Sequence, residues 1–215
     1  MRIHLSNWSG IHSIVSVAKS QAASDRLKEE LMSHWFISCD VVSTWPENQE
    51  FTFSPSEMEQ LQVFEDYDVI EVMADGTILR LYEDASNENL IFVTERCNSN
   101  CIMCPSPSIS RRKGFHTPLE VLLAQVDHIP SDTTHLTITG GEPFLIGQGI
   151  FSVFAKLRNH CEGTEFLILT NGRALALKTY QDKLLQTVPH NSMFGIPIHA
   201  CTVLPSSGRT RIMLE

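Results

Sequence analysis

The sequence has no long apolar run: its longest purely aliphatic or aromatic stretches, such as "LIFV" and "FLIL", are four residues. A membrane-spanning helix needs about 20, so no span is expected. The amino terminus, "MRIHLSNWSGIHSIVSVAKSQ", scatters His and Ser through its apolar positions, so no signal-peptide core forms. Positive charge is scarce too. Sixteen Lys and Arg face 25 Asp and Glu, a net charge of −9 at pH 7. An acidic surface repels phosphate backbones, so nucleic acid and membrane are not expected partners. The one basic cluster, Arg111-Arg112-Lys113, reads as a solvated loop. These absences together point to a cytoplasmic chain, where thiols stay reduced. Its six cysteines then read as free thiols or metal ligands rather than disulfides. Cys39, Cys161 and Cys201 are isolated and read as small core or surface residues.

The rhythm of the chain changes near residue 88. Before it, "YDVIEVMADGTILRLYEDASNE" predicts a β-hairpin, with strands over Val69–Met73 and Thr77–Tyr82 and turn chemistry at Asp75-Gly76. A short helix is expected over Ser24–His34, with Leu27, Leu31 and Met32 on one face, and "WPENQEFTFSPSE" reads as loop. Residues 1–88 thus form a small β-rich domain with no visible catalytic constellation, and "EDASNENL" links it onward.

From Leu90, four short apolar runs read as strands buried on both faces: "LIFVT", "HLTIT" (135–139), "FLILT" (166–170) and "MFGIPI" (193–198). Helices are expected between them. One begins at Thr117 as N-cap, with Pro118 first and Glu120 three residues after the cap; Leu119, Leu122, Leu123 and Val126 form its apolar face. Ile150–His160 and Ala174–Val188 read likewise. Alternating strands and helices predict an α/β domain with a parallel sheet or barrel, and such architectures bind ligands at the carboxyl ends of their strands.

Three loops at those ends hold unusual residues. The first is "RCNSNCIMCPSPS", Arg96 to Ser108, with Cys97, Cys101 and Cys104. A fourth clustered cysteine is missing. A closed zinc site needs four ligands, and the nearest histidine, His116, lies twelve residues past Cys104. A [4Fe-4S] cubane held by three thiolates instead leaves one iron open to a small molecule. The cysteines alone leave both readings open. The second loop is "TGGEPF", 139–144, and the third "TNG", 170–172.

Cys-x3-Cys-x2-Cys after one strand and Gly-Gly-Glu-Pro after the next resemble the radical SAM enzymes. The resemblance implies a partial radical SAM (β/α) barrel, with about four of the six usual units, over residues 89–199. It implies that Cys97, Cys101 and Cys104 ligate a [4Fe-4S] cluster whose fourth iron chelates S-adenosylmethionine. Gly140, Gly141 and Glu142 match the segment that contacts the methionine amino group: glycines permit close approach and a carboxylate attracts an ammonium. Met103 stands where many members carry an aromatic residue beside the adenine, and Asn171 where the third strand approaches the cofactor. The implied reaction is reductive cleavage of S-adenosylmethionine to a 5′-deoxyadenosyl radical.

A narrower resemblance spans roughly residues 65–198. "NLIFVTERCNSNCIMCPSPS", the preceding hairpin, "LTITGGEPFL" and "FLILTNGR" look like the His-Xaa-Ser system radical SAM maturases of the type called HxsC. That resemblance implies a peptide or protein substrate with His-Xaa-Ser repeats and a second radical SAM maturation protein as partner. An external electron donor of flavodoxin or ferredoxin type is also implied. The competing readings are a radical SAM enzyme with another substrate and a non-catalytic zinc-binding module. The tail, residues 200–215, lacks helical periodicity, and the expectation is a core cut short after its fourth strand.

Overall fold

The computed structural model describes residues 1–6, 8–102 and 104–197. The expectations for Met103, Cys201 and the carboxyl-terminal tail fall outside the described residues. The chain splits into two compact units. One comprises Met1–Asn89 with Ala124–Pro130; the other comprises Leu90–Leu123 and the chain from Ser131 on.

The first unit holds β1 (Arg2–His4), β2 (Ser13–Ala18), α1 (Gln21–Glu29), β3 (His34–Ile37), β4 (Val42–Trp45), β5 (Glu50–Phe51), α2 (Pro55–Leu61), β6 (Val69–Val72) and β7 (Thr77–Tyr82). The strands form a seven-stranded sheet in the order β1-β7-β6-β2-β3-β4-β5. β2 and β3 are parallel, as a crossover through α1 requires, and the other pairs are antiparallel. Val17, Trp35, Leu61, Phe64, Ile70 and Ile78 are in its core. The β6–β7 hairpin turns where expected: Gly76 has φ +84°, and the Asp75 carboxylate accepts the Thr77 N–H at 2.9 Å.

Two expectations here need correction. α1 begins three residues earlier than Ser24 because Ser20 is its N-cap, accepting the Ala23 N–H at 3.1 Å. It ends before Leu31, which adopts φ +58° and is exposed. The supposed loop after Trp45 contains β5 and α2. Ser54 and Glu57 make a capping box with Pro55 in the first turn. That is the Ser-x-x-Glu signature with proline at the first position, the same signal that marks Thr117.

The second unit holds β8 (Leu90–Phe92), α3 (Ser108–Lys113), α4 (Leu119–His128), β9 (His135–Thr139), α5 (Gly149–His160), β10 (Glu165–Leu169), α6 (Lys178–Thr187) and β11 (Ser192–Gly195). The second half of α4 groups with the first unit, where the Gln125 side chain donates to the Leu81 carbonyl at 3.1 Å. β8, β9, β10 and β11 pair side by side, all parallel and in chain order. Ile91, Val93, Leu136, Ile138, Phe166 and Ile168 are fully or almost fully buried, together with Ile150, Phe154 and Leu157 of α5. Successive strand residues point to opposite faces, and the alternate set stays open: Leu90, Phe92, Leu169 and Met193 are 44%, 40%, 39% and 69% exposed. The strands are thus covered on one face among the described residues, not both. An apolar run reports apolarity but not which face finds a partner. α4 starts at Leu119, and the Thr117 hydroxyl donates to the Phe92 carbonyl at 2.7 Å, tying the helix approach to the end of β8. Arg173–Ala176 forms a 3-10 turn rather than the first turn of α6.

Candidate functional site

The second unit's parallel strands all present their carboxyl ends on one side, so the loops after β8, β9 and β10 are neighbours. The first carries the cysteines. Its two limbs are stitched together: the Glu95 N–H donates to the Phe115 carbonyl at 3.0 Å and the Cys97 N–H to the Arg111 carbonyl at 2.8 Å. Arg111 returns a bond from Nη1 to the Cys101 carbonyl at 3.2 Å, and the Cys104 N–H reaches that same carbonyl at 3.3 Å. The basic triplet is therefore the end of a short helix, α3, and its first member shapes the cysteine loop. It does not read correctly as merely solvated.

The Gly-Gly-Glu segment lies directly against the stem of that loop. The Gly141 N–H donates to the Thr94 carbonyl at 2.5 Å and the Glu142 N–H to the Arg96 carbonyl at 2.8 Å. Gly140 has φ +152°, and a Cβ there would sit 2.5 Å from the Thr94 oxygen; a Cβ on Gly141 would sit 2.1 Å from the Arg96 oxygen. Any side chain would push the loop stem away. The close approach that demands glycine is thus made, in the first place, by the protein's own backbone.

Glu142 is 1% exposed. Its Oε1 accepts from the Thr170 hydroxyl at 2.7 Å and the Phe144 N–H at 3.2 Å, and its Oε2 accepts the Asn171 N–H at 2.7 Å. Burial pushes this carboxyl up, while those donors favour the charged form. The carboxylate joins the ends of β9 and β10. From the β10 end, Asn171 reaches back to the cysteines: its Nδ2 donates to the Asn98 Oδ1 at 2.7 Å and lies 3.8 Å from the Cys97 sulfur. Arg173 Nη1 donates to the Asn98 carbonyl at 2.7 Å. One network therefore links all three loops.

Cys97, Cys101 and Cys104 are free thiols, each partly exposed. Burial raises the Cys97 thiol; the Ser99 N–H and the Asn171 amide oppose that shift. Among the described residues no three His, Cys, Asp or Glu side chains converge as around one metal ion. Short loops of thiol ligands gain such convergence from metal binding itself. The donor set fits an iron–sulfur cluster: three free thiols on one loop, in a stretch of sequence rich in cations, with Arg111 bonded to the Cys101 carbonyl. Residues 90–118 contain Arg96, Arg111, Arg112 and Lys113 against a single acid, Glu95. The Arg111 Nε is buried and unpartnered among the described residues, a donor available to an anionic centre.

His116 bonds through Nδ1 to the Thr94 hydroxyl at 2.8 Å, so that ring nitrogen anchors the loop stem. Cys161 is buried at the end of α5, its thiol pushed up to about 11 by burial, and Cys39 is exposed. In the first unit, His34 Nε2 and the Ser24 hydroxyl meet at 2.9 Å while Nδ1 faces the Met32 carbonyl at 2.9 Å; both ring nitrogens of this buried histidine are satisfied. Reading the sequence missed Asn98, Thr170 and Arg173. Arg173 follows Thr170-Asn171-Gly172 directly, but no local pattern reveals a partner about 75 residues away.

The family model described as Radical SAM superfamily matches residues 91–202, just over half of the chain. No curated protein and no solved structure matches.

Proposed function

The chain belongs to the radical SAM superfamily, and we propose that it starts radical chemistry on a peptide or protein carrying His-Xaa-Ser repeats. The observation that supports the radical-initiating part of this reading is the network joining the cysteine loop to Gly140-Gly141-Glu142 and to Asn171 at adjacent strand ends. Cys97, Cys101 and Cys104 would hold a [4Fe-4S] cluster, and the Gly140–Glu142 segment with Asn171 would border S-adenosylmethionine. Held there, such a cluster would supply the electron for reductive cleavage of the sulfonium C–S bond of S-adenosylmethionine. The chain's own residues orient and shield. The two glycines bring the β9 end against the loop stem, Glu142 fixes the β10 end, and Arg111 holds the Cys101 carbonyl.

The four parallel strands in unbroken chain order favour a partial barrel over a doubly wound sheet, whose order reverses at a switch point. The substrate class rests on the sequence resemblance of the cysteine, Gly-Gly-Glu and Asn-Gly segments to the His-Xaa-Ser maturases. A companion radical SAM protein and a flavodoxin- or ferredoxin-type donor belong to the same proposal.

The test is anaerobic reconstitution with iron and sulfide, followed by S-adenosylmethionine, reductant and a His-Xaa-Ser peptide. About four irons per chain, 5′-deoxyadenosine formation and a mass change in the peptide are expected. Cys97→Ala, Cys101→Ala and Cys104→Ala should each abolish the stable cluster, and Cys161→Ala should not. A Cys101→Ala protein that keeps a full cluster sinks the assignment. Turnover of S-adenosylmethionine with an unmodified peptide would retain the chemistry and overturn the substrate.

A further inference from the structure

The amide of Asn171 is oriented on all sides. Its Oδ1 accepts the Arg173 N–H at 3.0 Å, which turns Nδ2 toward the cysteine loop. There, two hydrogens meet two acceptors: Asn98 Oδ1 at 2.7 Å and the Cys97 sulfur at 3.8 Å, a long contact suited to large, diffuse sulfur. The backbone N–H of Asn171 is held by Glu142 at 2.7 Å, and Arg173 Nη1 fixes the Asn98 carbonyl at 2.7 Å. The donor therefore comes from a different strand end than the sulfur and is braced by both neighbours.

We propose that Asn171 is a positioning residue that sets the electron affinity of the metal centre by donating a hydrogen bond to the Cys97 sulfur. This rests on the cluster assignment for Cys97. The physical reason is electrostatic: hydrogen bonds to ligand sulfurs are among the features that set cluster potentials. An N–H dipole aimed at sulfur stabilises added negative charge, so it favours the reduced centre. Removing the donor makes reduction harder without removing a ligand. Asn171 thus contributes through Cys97, whatever it also contributes to cofactor binding.

The experiment compares wild type, Asn171→Leu and Asn98→Ala after anaerobic reconstitution, each poised at fixed potentials and followed by electron paramagnetic resonance. Both substitutions are neutral for neutral, so net charge at the site is unchanged. Equal iron content is expected in all three. In Asn171→Leu the reduced-to-oxidised ratio at a fixed potential should fall several-fold, up to about tenfold, equivalent to about 59 mV for one electron. Asn98→Ala, which frees the amide while leaving Asn171 in place, should shift it the same way by less. It carries the test alone if leucine at 171 alters the circular dichroism. Unchanged midpoints with full clusters overturn this inference and leave the cluster assignment standing. Iron loss with unchanged circular dichroism also overturns it, since Asn171 would then shape the loop rather than tune the centre. A wild-type chain that assembles no cluster overturns the cluster assignment, and this inference with it.

Discussion

Glu142 shows how one side chain can serve the fold while standing in a cofactor motif. Its carboxylate is buried and accepts bonds from Thr170, Asn171 and Phe144. Glu142→Ala leaves those donors without their acceptor, a loss of at least about 1–3 kcal/mol. It should also loosen the loop that holds Asn171 near Cys97, so weaker S-adenosylmethionine binding and poorer cluster retention are expected together. The pH dependence has a definite sign. Burial raises this carboxyl above its ordinary value of 4.5. A raised folded value means that folding favours the protonated form, so this contribution is fully present below about pH 4.5 and is lost as pH rises through the folded value. Denaturant unfolding across that range should show a slope in the wild type that Glu142→Gln removes; identical slopes would count against a perturbed carboxyl.

At the scale of elements, α2 depends on its first turn. The Ser54 hydroxyl donates to Glu57 Oε2 at 2.5 Å, and Glu57 also accepts the Ser54 N–H at 2.9 Å and, through Oε1, the Ser6 N–H at 2.6 Å. The carboxylate thus ties the segment after β1 to the helix start. These bonds, the Ser54 hydroxyl first, hold the Glu57 carboxyl down at about 2. A depressed folded value means the contribution is present above about pH 4.5 and is lost as pH falls toward 2. Ser54→Ala should cost about 0.5–2 kcal/mol at neutral pH, with a smaller difference from wild type near pH 2. Urea midpoints at the two pH values measure it, and an equal difference at both would show that the cap works independently of the Glu57 charge.

Over the whole molecule, charge is divided against itself. The chain carries −9, yet the stretch from 90 to 118 carries Arg96, Arg111, Arg112 and Lys113 against Glu95. Cations in the stretch that would hold the proposed cluster would attract anionic reductants, and salt screens such attraction over a Debye length of about 10 Å at 0.1 M and 3 Å at 1 M. Stopped-flow reduction of the reconstituted protein by dithionite should therefore slow as sodium chloride rises. An R112A/K113A double variant should react more slowly at low salt and with a flatter dependence. A rate that rises with salt would mean that the global acidity, not the local patch, governs approach.

What the sequence determined by itself is local chemistry and period. The Cys97-x3-Cys101-x2-Cys104 spacing, the Gly140-Gly141-Glu142 segment, the β6–β7 turn at Asp75-Gly76 and all of β9 were legible because each depends on residues close together in the chain. The Ser54-x-x-Glu57 cap was equally legible and lay hidden only under a polar, proline-bearing composition. Tertiary structure decided what depends on residues far apart. It covered one face of β8–β11 and left Leu90, Phe92, Leu169 and Met193 open, which an apolar run cannot foretell. It gave the glycines their contact, the Thr94–Arg96 backbone, and brought Asn171 and Arg173 onto Asn98 across more than 70 residues. Hydrogen-bond partners at such separations follow from how strands pair and where their loops converge, and no window of local sequence contains that information.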